Sequence, residues 1–357
     1  MPSKKDIRNI SIDELEHFLK ACGEPTFRAK QIYQWLWKKN ALSFDEMTNI
    51  SKDLRDVLDN HFVINHIQVD KIQKSSDGTI KNAVKLHDDH TVESVLIPTD
   101  DRTTACVSSQ VGCAVDCDFC ATGKMGFKKN LSAGEIIDQL LLIQDDINTP
   151  ITNIVFMGMG EPFLNYNNVI KAAHLMNDKH GLNFSYHRIT ISTSGILPKI
   201  NQFINDQLKY NLAISLNASD NETRNKLIPI NKKWPIKELL SSLEVYPGVN
   251  NSRRITFEYI MLDGVNDSIN DAKKLVKLLK PIHAKVNLIP FNPWPGSIYR
   301  CSSYKTIRDF ADEVCYNGGI TATVRHARGQ DILAACGQLK SNSVRLSKEK
   351  VVKINAA

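Results

Sequence analysis

Thr104-Ala-Cys-Val-Ser-Ser-Gln-Val-Gly-Cys113-Ala-Val-Asp-Cys117-Asp-Phe-Cys120 is an apolar run that passes through a glycine into a loop with three cysteines. Downstream, Ala133–Gln144 carries apolar residues at helical spacing. Strand, loop and helix then recur along the chain. The candidate strands are Thr104–Ser108, Asn153–Met157, Arg188–Ser192, Leu212–Leu216, Ile255–Met261 and Lys285–Ile289, with Thr321–Val324 as a further one. Helical patterns lie between them over Tyr166–Asn177, Ile236–Val245 and Ala272–Leu279. Alternating βα units imply a parallel sheet with helices outside it. Six such units are too few for a closed eight-stranded barrel, so the expected fold is α/β, a partial (β/α)6 barrel. Ligands of such folds sit at the carboxyl ends of the strands.

Outward from this core the pattern changes. Ser11-Ile-Asp-Glu14 has the form of a capping box ahead of Leu15, Phe18 and Leu19. Ala29–Trp37 and Ile50–Leu58 predict two more helices. Residues 1–62 are therefore expected to form a small helical domain. Residues 63–99 alternate apolar and polar around Asp77-Gly78, a connecting β-hairpin signal. The barrel is expected over 100–340 and a basic tail over 341–357.

The chain of 357 residues carries 45 Lys and Arg against 39 Asp and Glu, a net charge of +6. That excess permits an anionic partner without demanding one. It is concentrated in two places. Lys20, Arg28, Lys30, Lys38 and Lys39 share a stretch with Phe27, Tyr33, Trp35 and Trp37, and Lys340, Arg345, Lys348, Lys350 and Lys353 mark the tail. Basic residues mixed with aromatics suit a phosphate backbone and stacked bases. The same pattern also describes a helix with a buried aromatic stripe and a solvated face. No apolar run reaches the ~20 residues of a membrane span. The polar start lacks a signal-peptide core, so a cytoplasmic location is expected. Eight cysteines in that compartment point to ligands, catalysts or core residues before structural disulfides.

Cys113-x3-Cys117-x2-Cys120 can converge on one inorganic cluster, and three protein thiolates leave one iron of a four-iron cluster open. A zinc site would want a fourth ligand; His87 and His90 lack the usual spacing. Gly158-Met-Gly160-Glu161-Pro162 follows the second strand, where glycines admit close backbone approach and Glu161 offers a carboxylate to an ammonium group. Ser192, Ser215-Leu216-Asn217 and Asn292 fall at the ends of later strands. Glu93 sits on the apolar run Val92–Pro98. Cys106 and Cys336 are lone cysteines, each also readable as a small buried hydrophobe.

The three-cysteine spacing after the first barrel strand, with Phe119 before the last cysteine, resembles the radical S-adenosylmethionine enzymes. Within them, the chain is similar to the RlmN family of RNA adenine methyltransferases. The similarity runs through Val92–Pro98, Ala105–Cys113, Met157–Pro162, Ile228-Pro-Ile-Asn-Lys-Lys233 and Ala334-Ala-Cys-Gly-Gln-Leu339. Asn217 departs from it, since the family usually has His there.

The resemblance implies a 4Fe–4S cluster on Cys113, Cys117 and Cys120. It implies S-adenosylmethionine, two molecules per turnover, held by Gly160, Glu161, Ser192, Ser215, Leu216, Asn217 and Asn292. Cys336 would be the methylated cysteine, Cys106 the resolving one and Glu93 the base that takes the proton from adenine carbon 2. Carbon 2 is too poor a nucleophile to attack a methylsulfonium directly, which is why a cysteine must carry the methyl group. The implied substrates are 23S ribosomal RNA and certain tRNAs, with an electron donor such as flavodoxin and action as a monomer. A carbon-8 methyltransferase is the nearest alternative, and Pro162 and Val324–Gly329 resemble the carbon-2 group more. A radical enzyme acting on a protein or small molecule and a zinc-dependent RNA-binding protein are more distant alternatives.

Overall fold

The computed structural model describes residues 4–145, 150–179, 181–246 and 254–340. The chain opens with three helices, α1 (Ile12–Ala21), α2 (Phe27–Trp37) and α3 (Lys52–His61). The capping box of α1 is formed. Ser11 Oγ accepts from Glu14 N at 3.1 Å, and the Glu14 carboxylate accepts from Ser11 N at 2.6 Å. Ser51 caps α3, so that helix begins at Lys52 and Ile50 packs below it as a buried lead-in residue. Leu15, Leu19, Ile32, Leu36, Trp37, Leu54 and Leu58 bury one face of each helix in a continuous core. The aromatic stretch is partly buried and partly open to solvent. Trp37 is buried, whereas Phe27 is exposed under the Arg28 guanidinium and Lys39 lies 3.5 Å over the Trp35 ring. The basic tail over 341–357 lies outside the described residues.

One ten-stranded sheet follows. Its strands are β1 (Gln68–Lys74), β2 (Ile80–Lys85), β3 (Thr91–Thr99), β4 (Arg102–Cys106), β5 (Asn153–Phe156), β6 (Ile189–Thr193), β7 (Asn211–Ser215), β8 (Ile255–Met261), β9 (Ala284–Pro290) and β10 (Thr321–Val324). They lie side by side in chain order. The pairings from β4 through β10 are all parallel, and those from β1 through β4 are antiparallel. The expected hairpin is β1–β2 around Asp77-Gly78, and β3 adds a third strand that joins this extension to the barrel through Val95↔Cys106.

The parallel half curls into an open barrel. Helices α4 (Ala133–Asp145), α5 (Tyr166–Asn177), α6 (Leu197–Asn205), α7 (Asn221–Leu227), α8 (Ile236–Leu243), α9 (Ile269–Leu279) and α10 (Tyr304–Asp312) lie between its strands. Alternate residues of the strands face inward, as a pleated sheet requires. They line a cavity of about 640 Å³ that runs from Arg102 and Asn211 at one end to Cys106 and Cys336 at the other.

The helical module is joined to the barrel by a buried charge. Arg8 is 2% exposed; it donates to Asp138 on α4 and lies 3.8 Å from Asp6. Gly134 makes room for it: a Cβ there would meet the Arg8 guanidinium at 3.1 Å. Burial pushes Asp138 up to about 6 even with Arg8 opposing. Removing the cation would leave two acids in an apolar seam. Arg8→Ala is therefore expected to lower stability by about 3–5 kcal/mol, measured by urea unfolding. The double variant Arg8→Met with Asp138→Leu should recover most of that loss. An Arg8→Ala variant within about 0.5 kcal/mol of the parent would show that the pair carries no weight.

Candidate active site at the barrel mouth

The cysteine loop leaves the end of β4 and is closed by a small ribbon in which Gln110–Val111 pairs with Lys129–Asn130. Gly112 makes the turn at φ +71°, and a Cβ there would fall 1.7 Å from the Gly126 carbonyl oxygen, so no other residue fits. The loop is tied down on all sides. Asp118 N donates to Leu227 O at 2.9 Å, Ala121 N to Gly337 O at 2.8 Å, Trp294 Nε1 to Phe119 O at 2.9 Å and Thr122 Oγ1 to Leu339 O at 2.6 Å. Cys113 and Cys117 pack on an apolar wall of Val115, Leu227, Ile228, Ile260, Leu262 and Phe291.

Burial pushes the Cys113 thiol up to about 12 and Cys117 well above its usual value, and the neighbouring cysteines and Glu161 add to both. Thiols in such surroundings become thiolates against a nearby positive charge such as a metal's. Among the described residues, the one trio of His, Cys, Asp or Glu ligand atoms mutually within 4.8 Å is His87, Asp88 and Glu135. The three sulfurs are therefore spread wider. A single zinc with bonds of about 2.3 Å would need its sulfurs within about 4 Å of one another. A cluster in which each sulfur binds a different iron takes the wider spread, so the donor set fits a four-iron cluster better than zinc. The His87 trio already has its cation: Lys129 Nζ lies 2.5 Å from Asp88 and 2.9 Å from Glu135.

The Gly-Met-Gly-Glu segment stands beside this loop, and its glycines serve the protein's own packing. A Cβ on Gly158 would lie 2.7 Å from Ser108 Oγ, and one on Gly160, at φ +99°, 2.5 Å from Gln110 Cβ. Close packing against Ser108–Gln110 is thus one reason for glycine at both positions. Glu161 is buried and fixed by three donors, with Phe163 N at 2.9 Å, Ser194 N at 2.7 Å and Ser194 Oγ at 2.8 Å. Burial raises its pKa, and these bonds oppose the rise. Ser194 is a partner that the sequence did not single out.

Ser192 is buried on the same side of β6 as Thr190, which lines the cavity. Beyond β7, the Ser215 and Leu216 carbonyls accept from Arg224 at 3.1 and 2.9 Å. Asn217 has φ +59°, and its Oδ1 accepts from Ile260 N at 2.8 Å. Asn292 donates to Cys336 O at 3.4 Å and accepts from Gln330 at 2.7 Å. These residues thus gather at one end of the barrel with the three cysteines, but Asn217 and Asn292 are engaged within the protein.

Residues 334–339 cross the mouth of the cavity. Cys336 is exposed there, while Cys106 is buried at the end of β4; both line the cavity and both are free thiols. Burial pushes Cys106 up to about 12, with Cys336 adding and Arg325 opposing. The barrel wall and cavity around Cys336 desolvate its thiol and raise it as well, with Arg325 opposing. Arg325 and Glu258 are further residues that the sequence reading missed. Glu258 accepts from Asn287 at 2.9 Å, and burial raises its pKa with Arg325 opposing. Glu93, on β3, is not alone among apolar neighbours as its sequence context suggested. Its Oε1 is 3.1 Å from Lys81 Nζ, and its Oε2 accepts from Lys340 N at 2.9 Å. Lys81 also donates to Leu333 O at 3.2 Å, so this ion pair holds both ends of the Cys336 segment.

Comparison with known proteins agrees with this geometry. Residues 5–64 match the ribosomal RNA large subunit methyltransferase N-terminal domain, and residues 107–279 match the radical SAM superfamily. The chain is 50% identical over 344 residues to a probable dual-specificity RNA methyltransferase RlmN of Christiangramia forsetii, covering 95% of this chain and 97% of that one. It is 47% identical to the dual-specificity RNA methyltransferase RlmN of a Chelativorans species, covering 99% and 92%. A radical SAM methyltransferase from Sphaerobacter thermophilus, known as a crystal structure, superposes with a TM-score of 0.87 at 41% identity, over 94% of this chain and 99% of that one. The chain belongs to the RlmN family of radical S-adenosylmethionine RNA methyltransferases.

Proposed function

We propose that this protein methylates carbon 2 of an adenine in 23S ribosomal RNA, and of the adenine beside the anticodon in certain tRNAs. The observation that carries the reading is the placement of Cys336 at the cavity mouth, with Cys106 in the same cavity and its flanking Gly337 carbonyl bonded to the three-cysteine loop. Members of this family use a 4Fe–4S cluster and S-adenosylmethionine. When bound, the cluster supplies the electron that cleaves a sulfonium to give a deoxyadenosyl radical.

The protein's own residues do the rest. Cys113, Cys117 and Cys120 hold three irons. Glu161, Ser192, Ser215 and Leu216, with backbone at Gly160, Asn217 and Asn292, hold S-adenosylmethionine at the strand ends. The Cys336 thiolate attacks the methyl carbon of one S-adenosylmethionine, S-adenosylhomocysteine leaves, and Cys336 keeps the methyl group as a thioether. A deoxyadenosyl radical made from a second S-adenosylmethionine would take a hydrogen atom from that methyl and become 5′-deoxyadenosine, leaving a carbon radical on Cys336 that adds to adenine carbon 2. Glu93, aimed by Lys81, takes the ring proton while the adduct radical gives up one electron, which the bound cluster would accept. Cys106 then attacks the Cys336 sulfur. The carbon–sulfur bond breaks, the freed carbon takes a proton and a disulfide remains for a reductant to reopen. The target base must leave its stack to enter the cavity.

The helical module over 1–62 and the tail over 341–357 hold the RNA. A flavodoxin-type electron donor, action as a monomer and a cytoplasmic location complete the proposal. Among the described residues no helix is long and apolar enough to cross a membrane. A disulfide that opens every cycle suits a reducing compartment.

Cys106→Ala should accumulate a protein–RNA crosslink, visible as a band shift that nuclease removes. Free, fully methylated product at the parent's rate would remove Cys106 from the scheme. Cys336→Ala should lose RNA methylation entirely, and mass spectrometry of the purified parent should find a methyl group on Cys336. Parent-like turnover by Cys336→Ala would end the covalent route. Digested product RNA should contain 2-methyladenosine; 8-methyladenosine in its place would assign the carbon-8 reaction instead.

A further inference from the structure

Arg224, on α7, is fully buried, yet its guanidinium meets only neutral acceptors. Nε donates to Leu216 O at 2.9 Å and Nη1 to Asn231 Oδ1 at 2.8 Å. Nη2 donates to Ser194 O at 2.6 Å and to Ser215 O at 3.1 Å. A buried cation without an anion is costly, and carbonyl dipoles offset only part of that cost. Among the described residues, the ionisable group that acts on it is Cys117. The backbone around them is continuous: Ile228 N donates to Arg224 O, Asp118 N donates to Leu227 O, and Cys117 packs against the apolar group that holds Leu227 and Ile228. An arginine guanidinium stays protonated at neutral pH even when buried. An anion is therefore missing from its surroundings, and the place for it is the cysteine loop.

We propose that Arg224 is a positioning residue that serves as buried counter-cation to the iron–sulfur cluster and raises the cluster's reduction potential. The inference rests on reading Cys113, Cys117 and Cys120 as the cluster ligands. Three thiolates make the cluster assembly negative, and reduction adds one more negative charge. A fixed positive charge in a dry site favours the reduced form, and net charge and hydrogen bonding near the cluster are what set such potentials. The same fork ties the ends of β6 and β7 together, so Arg224 fixes the carbonyls of Ser194, Ser215 and Leu216 while it supplies charge.

The test separates charge from fork geometry. Full-length parent, Arg224→Gln and Arg224→Lys are reconstituted anaerobically and titrated with dithionite, with the reduced cluster followed by electron paramagnetic resonance. The expected result is a more negative potential in Arg224→Gln and a parent-like potential in Arg224→Lys, each with a full iron and sulfide complement. A parent-like potential in Arg224→Gln overturns the proposal, as do equal shifts in both variants, which would assign the effect to the fork. If Arg224→Gln sheds iron on gel filtration while Arg224→Lys retains it, the charge is what holds the cluster; shedding by both overturns the proposal. A parent chain that takes up one zinc and no iron–sulfur core defeats the reading of the three cysteines instead.

Discussion

The hydrogen bond from Ala121 N to Gly337 O joins two loops that come from opposite ends of the barrel sequence. One loop carries the three clustered cysteines and the other carries Cys336. A single backbone bond contributes about 1 kcal/mol, so it does not hold the mouth shut by itself. It acts as one of a set, with Thr122 to Leu339, Asn292 to Cys336, Gln338 to Pro293 and Lys340 to Glu93. Every donor or acceptor in that set belongs to the rim of the parallel barrel or to the antiparallel extension. The extension is thus part of the site. Asp77 holds Gly329 N and Lys81 holds Leu333 O, so the β1–β2 hairpin carries one end of the Cys336 segment.

Buried charge sets the other constraint. Arg8 with Asp138, Lys81 with Glu93, Arg325 beside Glu258, and Arg224 each place a cation where water is scarce. A hydrophobic side chain of similar volume would be cheaper at such positions, so retention of the charge points to geometry or chemistry. The first pair joins the helical module to the barrel, while the other three charges ring the cavity mouth and the cysteine loop. The acids and cations near the reacting cysteines come from β2, β3, β8 and the segment after β10, a distribution that only the curled sheet brings together.

What the sequence makes legible follows from burial. β8 is buried along nearly its whole length, and its Ile255, Phe257, Tyr259, Ile260 and Met261 give it in sequence the bounds Ile255–Met261 that the structure has. α5 likewise keeps its expected bounds, Tyr166–Asn177, because seven of its residues are buried at helical spacing. α6, α7 and α10 escape notice. α7 buries only Leu227 among its apolar residues, and α10 only Ile307 and Phe310, too few to fix a period. The cysteines were legible because their spacing is local. Ser194, Lys81, Arg224, Glu258 and Arg325 were not, because each acts on a partner distant in sequence and looks like an ordinary polar residue among its neighbours.

Asn217 shows how a local departure acquires a physical reason. The backbone there turns left-handed at φ +59°, a conformation Asn tolerates better than most side chains. Its carboxamide oxygen then takes the Ile260 N–H, extending the β7–β8 ladder past the point where main-chain pairing stops. Its own carbonyl accepts from Asn266 at 2.9 Å, and Asn266 also holds Leu262 N. The residue is a splice between strand ends. Its N–H completes the set by donating to Glu258 O at 3.3 Å, so side chain and backbone alike are spent on joining the strand ends.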